Sequence, residues 1–148
     1  MNIVPYKAEH LLKFRLQPAQ LYLAAWTTED HAHAVEMAVE TNMGWAFTGV
    51  DDDGKILGCA GVNLMWPGRG LAWSYLSREV GRYFPKVHRA VLRFMNGCPV
   101  HRIEATVDAG FAEGHRWATM LGFVQETPKP MRGYRPDGGD CYLYARVR

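Results

Sequence analysis

RIEATVDAGFAEGHRWATMLGFVQE, residues Arg102 to Glu126, changes its apolar period twice in one short run. Ile103, Ala105 and Val107 alternate with Arg102, Glu104 and Thr106, the pattern of a half-buried strand. The spacing then predicts a helix from about Ala112 to Leu121, with Gly122 at its C-terminal cap. Phe123 to about Thr127 opens another strand. In this reading Glu104 is a solvated strand residue and Asp108 a turn or helix-entry residue.

Upstream lies a matching strand and helix. Leu71 to Leu76 is strand-like, and a basic loop carries the chain to Pro85, which fits the first helical position. Val87, Ala90, Val91 and Phe94 then form an i, i+3, i+4, i+7 stripe, and the helix ends near Gly97. A strand, a helix and a second strand between residues 71 and 107 make a parallel pair with a right-handed crossover.

The N-terminal half supplies the other elements. Residues 2–6 read as a short strand. Residues 8–24 read as two short helices split by Pro18. Thr27 or Thr28 caps a helix to about Thr41, with Ala32, Val35, Ala38 and Val39 inward. Gly44–Val50 and Lys55–Met65 are strands joined by the Asp51–Gly54 turn, and the second is apolar enough to be buried on both faces. A last hairpin turns at Pro136–Gly139. The expected architecture is α+β: one mixed sheet of about seven strands flanked by about four helices, in a single domain over residues 1–148.

Bulk properties exclude several classes. The 148 residues are 48% hydrophobic and 22% charged, the profile of a globular protein with one core. No apolar run approaches the ~20 residues a membrane helix needs, and residues 1–7 lack a secretion-signal pattern. A net charge of +2 is too small to argue for nucleic acid. Arg78, Arg82, Lys86, Arg89 and Arg93 read as a solvated face. Cys59, Cys98 and Cys141 have no CxxC spacing and read as reduced, packed thiols. His31 and His33 do not share a helix face, so no metal site is expected.

The run from Arg102 to Glu126, ending in Leu121-Gly122-Phe123, resembles the C-terminal signature of the GNAT superfamily of N-acetyltransferases. The order of elements along the chain is also similar to GNAT. The Trp66–Gly68 turn, the Arg116–Phe123 run and the ending from Pro136 resemble a narrower group, short GNAT-like proteins of tailed phages and prophages, some described as internal virion proteins.

The resemblance implies that acetyl-CoA binds where the fourth and fifth strands splay apart, its pantetheine pairing with fourth-strand backbone and its pyrophosphate resting on the next loop and helix N-terminus. The implied binding residues are Tyr75, Leu76, Ser77, Gly81, Arg82, Tyr83 and Lys86. Trp66, Trp73 and Tyr75 flank that cleft. The implied reaction is direct acetyl transfer to a small-molecule or protein amine in the cytoplasm of a bacterial host.

Three departures from the family pattern stand out. Arg82, Tyr83 and Phe84 occupy places where the family's loop has glycines, and Pro85 removes one N–H. Phe111 and Ala118 stand where many members carry Asn and the acid Tyr. No carboxylate or histidine is plainly placed as a base; Glu104 and Asp108 are nearest, and His115 reads as a surface histidine. Two alternatives therefore stay open: a GNAT-shaped phage structural or assembly protein without turnover, partnered by virion components, and a module that binds CoA without catalysis.

Overall fold

The computed structural model covers residues 1–148. Seven strands form one sheet: β1 (Asn2–Pro5), β2 (Gly44–Val50), β3 (Ile56–Trp66), β4 (Arg69–Leu76), β5 (Arg102–Asp108), β6 (Val124–Gln125) and β7 (Cys141–Val147). Their spatial order is β1-β2-β3-β4-β5-β7-β6, and every pair is antiparallel except β4 with β5. The helices are α1 (Ala8–Leu11), α2 (Glu29–Glu40), α3 (Phe84–Gly97) and α4 (Ala112–Met120). Two 3-10 turns, Pro18–Leu23 and Gly81–Tyr83, complete the order.

Each sheet face has its own core. Tyr6, Ala8, Leu11, Ala32, Val35, Ala46 and Cys59 fill the face under α1 and α2. Val62, Met95, Cys98, Val100, Ile103, Ala118, Leu121, Phe123 and Tyr144 fill the other, under α3 and α4. Gly114 lets α4 sit close to β5, since a Cβ there would meet Val107 Cγ1 at 2.9 Å. Gly122 follows α4 with φ 85°, the left-handed conformation expected of a helix-ending glycine.

Several local expectations are corrected. Residues 8–24 hold one turn of α-helix and a 3-10 turn rather than two short helices. Their apolar side chains stay partly in solvent: Leu12 is 47% and Leu21 56% exposed. The inner face of α2 is narrower than its sequence pattern, with Ala32 and Val35 buried and Val39 exposed. Pro85 takes the second position of α3, after Phe84. Trp66, expected to open the turn, instead closes β3 and lies on the surface with the Arg69 guanidinium over its ring. The three cysteines are free and buried, and desolvation pushes the Cys59 thiol up to about 11.

Candidate active site

The parallel pair gives the molecule its cleft. β4 and β5 touch only at Arg69 with Arg102, Gly70 with Ile103 and Leu71 with Glu104. From Ala72 and Ala105 onward the two strands part. A cleft of about 1290 Å³ opens between them and continues under the apolar side of α3. Its walls include Ala72, Trp73, Tyr75 and Leu76 of β4, Ala105 and Val107 of β5, and Phe84, Val87 and Val91 of α3. This explains why the α3 stripe, regular in sequence, is only half-buried: Met95 is the one fully buried residue of that helix. Trp117 of α4 reaches across to α3, donating from its indole N–H to His88 Nδ1 at 3.2 Å and packing edge-on against Phe84.

The closed end of the cleft is pinned by charge. Glu104 is 6% exposed, so the expectation of a solvated residue is wrong. Its two oxygens accept from Arg69 Nε and Nη2, each at 2.9 Å, and Arg102 Nε adds a bond at 2.7 Å. Arg102 in turn grips Glu126 through both terminal nitrogens. The Arg69 hydrogen bonds, helped by Arg102, hold the Glu104 carboxyl below the usual carboxylate range. A carboxylate so paired does not serve as a general base.

At the open end, β4 should present a bare edge. Ser77 N–H bonds back to Leu57 of β3, so the N–H and C=O of Leu76 point the other way, toward the parted β5. They are not bare. Gln17 N–H donates to Leu76 O at 2.9 Å, and Leu76 N–H donates to Gln20 Oε1 at 2.9 Å. Gln20 Nε2 donates to Ser74 O at 2.6 Å, and Gln17 Nε2 donates to Gln20 Oε1 at 3.0 Å. One side-chain carboxamide thus makes the two bonds that the N–H and C=O of one residue of an added strand would make. The segment continues to the opposite wall, where Tyr22 donates to Asp108 Oδ1 at 3.2 Å and lies under the Arg135 guanidinium at 3.9 Å. Residues 15–23 are a strap across the mouth of the cleft.

Asp108 ends β5, and its carboxylate is held by Tyr22 and by Arg135 Nη1 at 3.1 Å. Burial, then the neighbouring Asp108, push the Cys141 thiol up to about 12. His115 has both ring nitrogens engaged, Nδ1 with Tyr144 Oη at 2.8 Å and Nε2 with the Ala109 carbonyl at 3.2 Å, and is half-buried off the cleft. Ala118 is buried in the core.

Of the residues expected to bind cofactor, Tyr75, Leu76 and Gly81 line the cleft. Ser77 is buried, its hydroxyl accepting from Glu79 N–H at 3.1 Å. Gly81, Arg82 and Tyr83 form the 3-10 turn leading into α3. The Tyr83 N–H is bonded to Val80 O, the Phe84 N–H to Gly81 O, and Pro85 has none. Two of the loop's backbone N–H groups are therefore paired and a third is missing, and exposed Arg82 and Lys86 add charge beside those that remain. Trp73 and Tyr75 line the cleft as expected; Trp66 does not. Gln17, Gln20 and Tyr22 escaped the sequence reading. Pro18 signals an interrupted segment, but nothing in the local pattern points at β4.

A sheet of this order, with its lone parallel pair splayed, is the GNAT acetyltransferase fold, as comparison with solved structures shows. The chain is similar to a ribosomal-protein-S5-alanine acetyltransferase from Vibrio fischeri, with a TM-score of 0.68, 17% identity, and coverage of 98% of this chain and 91% of that one. It is similar to a chimera of Vibrio cholerae spermidine N-acetyltransferase SpeG and hSSAT, with a TM-score of 0.70, 12% identity, and coverage of 99% and 96%. A Salmonella typhimurium acetyltransferase that modifies the N-terminal serine of a 50S ribosomal subunit protein gives a TM-score of 0.68 at 13% identity, covering 99% of this chain and 94% of that one. No family model matches the chain, and no curated protein matches it. No helix is long and apolar enough to cross a membrane.

Proposed function

We propose that this protein is an acetyl-CoA-dependent N-acetyltransferase that moves the acetyl group directly to an amine. The observation that carries this reading is the edge of β4 at Ser74 and Leu76, where the strand has parted from β5 and holds a side-chain amide in place of an added strand. A pantetheine arm is a chain of two amides, so the edge that accepts the Gln20 carboxamide is suited to it. The fit requires the strap to yield: Gln20 leaves β4 and the donor's amide replaces it. Arg82 and Lys86 lie beside the entrance to α3, where they take the pyrophosphate by charge in place of glycine-loop N–H groups. The acetyl group then lies near Ala72 and Ala105, where the strands begin to part. There the protein contributes orientation and strand N–H groups toward the thioester oxygen.

Acceptors with primary amines fit the family of solved structures, which includes enzymes for spermidine and for protein N-termini. Titration calorimetry with acetyl-CoA, on the wild-type protein and on Gln20→Ala, tests donor binding. CoA thiol release with spermidine and with peptides beginning in alanine or serine tests transfer. Saturable binding with thiol release supports the reading. Absence of donor binding to both proteins at millimolar concentration overturns it and favours a GNAT-shaped structural protein, for which co-purification with virion components is the positive sign.

A further inference from the structure

On the α2 side of β4, the structure places a second pair of groups that no part of the family signature marks. Tyr75 lines the cleft, and its hydroxyl lies 3.0 Å from His31 Nε2, with the two rings edge-to-face at 5.9 Å. We infer that Tyr75 and His31 form the proton relay that deprotonates the acceptor amine, with Tyr75 touching the amine and His31 acting through it. The inference rests on the acetyltransferase reading and supplies the base that reading lacks.

Position and surroundings favour the role. Both residues are half-buried, so the pair is neither sealed in the core nor lost in solvent. His31 lies in the first turn of α2, its own N–H held by the Thr28 cap at 3.3 Å. The positive end of the helix dipole disfavours an imidazolium there. Desolvation acts in the same direction and holds His31 below its ordinary value, so the ring is neutral and able to accept. Desolvation also raises the Tyr75 hydroxyl, which keeps its proton until it can pass it on.

The titratable neighbours of the pair make their hydrogen bonds and ion pairs with other groups. Tyr6, after β1, donates to Ala32 O at 3.0 Å. Cys59 of β3 is bonded to Thr48. Glu36 of α2 pairs with His33 at 3.6 Å, and Glu29 lies 3.8 Å from that same ring. No carboxylate makes an ion pair with His31. Trp73 and Tyr75, which both line the cleft, stand with ring centroids 5.6 Å apart, an aromatic wall that suits an arriving ammonium.

The step balances as follows. The ammonium gives one proton to Tyr75 Oη while Tyr75 passes its own to His31 Nε2. The neutral amine attacks the thioester carbonyl carbon. The C–S bond breaks, the second ammonium-type proton goes to the departing sulfur, and the imidazolium returns its proton to water. The products are the amide, CoA thiol and one released proton.

The test uses the full-length protein, acetyl-CoA, and the best acceptor among spermidine and the alanine and serine peptides. His31→Gln keeps a hydrogen-bonding partner for Tyr75 but cannot take a proton. The expected result is a kcat lower by about a hundredfold, with donor Kd and acceptor KM nearly unchanged. Wild-type kcat/KM falls on the acid side as His31 protonates, and that limb disappears in the variant. Tyr75→Phe gives the same loss. Hydroxylamine, an amine already neutral at pH 7, reacts with similar rate in both proteins. If His31→Gln binds the donor and keeps the wild-type rate and acid limb, the relay is wrong while the transferase reading survives. If wild type neither binds donor nor releases thiol with any acceptor, both fall together.

Discussion

The two ends of the β4–β5 cleft are closed by opposite kinds of bond. At the paired end, Arg69, Arg102 and Glu126 surround a buried Glu104, and every charge has a fixed partner. At the parted end, two neutral hydrogen bonds, one donated by Gln20 to Ser74 O and one accepted by it from Leu76 N–H, cover the β4 edge. Removing one member of a buried ionic cluster leaves another charge uncompensated, which costs far more than exchanging one amide for another. In the proposed transferase, one end stays shut and the other is exchanged.

The largest expected effect breaks the fixed end. Glu104→Ala leaves Arg69 without a carboxylate beside Arg102, which keeps Glu126, and destabilises the fold by about 3 kcal/mol, read by denaturant unfolding. The acid response follows with its sign. Because the Glu104 carboxyl lies below the usual range in the folded state, its contribution is complete above the ordinary glutamate value. It is lost as pH falls through the depressed folded value. Glu104→Gln therefore gives a flatter stability curve across that acid window than wild type.

Effects at the exchangeable end are smaller and change sign with donor. Gln20→Ala lowers the melting temperature of the donor-free protein by several degrees, through the loss of its three hydrogen bonds, to Gln17, Ser74 and Leu76, of up to roughly 1 kcal/mol each. It also removes an internal competitor, so acetyl-CoA binds about tenfold tighter by calorimetry. Equal weakening in both states would show that the strap supports the bound cleft. Arg82→Glu weakens donor binding by several-fold, with an effect that shrinks as salt rises. A change independent of salt would place the phosphates elsewhere. Tyr22→Phe, which only loosens the strap from Asp108, tightens donor binding less than Gln20→Ala does.

What was legible in the chain follows the same division. Alternation at Ile103, Ala105 and Val107, the α3 stripe, the Asp51–Gly54 turn and Gly122 are local signals, and each appears where its pattern places it. The order of elements and the parallel pair follow from them, whereas the splay of that pair was implied only by the GNAT resemblance. Glu104 misled because its burial depends on Arg69, which is 35 residues away. The strap was invisible for the same reason: Gln20 meets β4 54 and 56 residues later. Residues 8–24 misled differently. Their leucines suggested helices with a packed face, but Leu12 and Leu21 are exposed, so tertiary burial never selects the full α-helical pattern there.

The Leu76 N–H has one hydrogen-bond partner, and that partner is a side chain, unlike the backbone bonds that protect most of the sheet. Its exchange with deuterium is thus set by how often the Gln20 carboxamide lets go, without waiting for strands to separate. A single amide resonance becomes a clock for the mouth of the cleft. It ticks fast in Gln20→Ala without ligand and, on the acetyltransferase reading, slows when a pantetheine oxygen takes over the same proton.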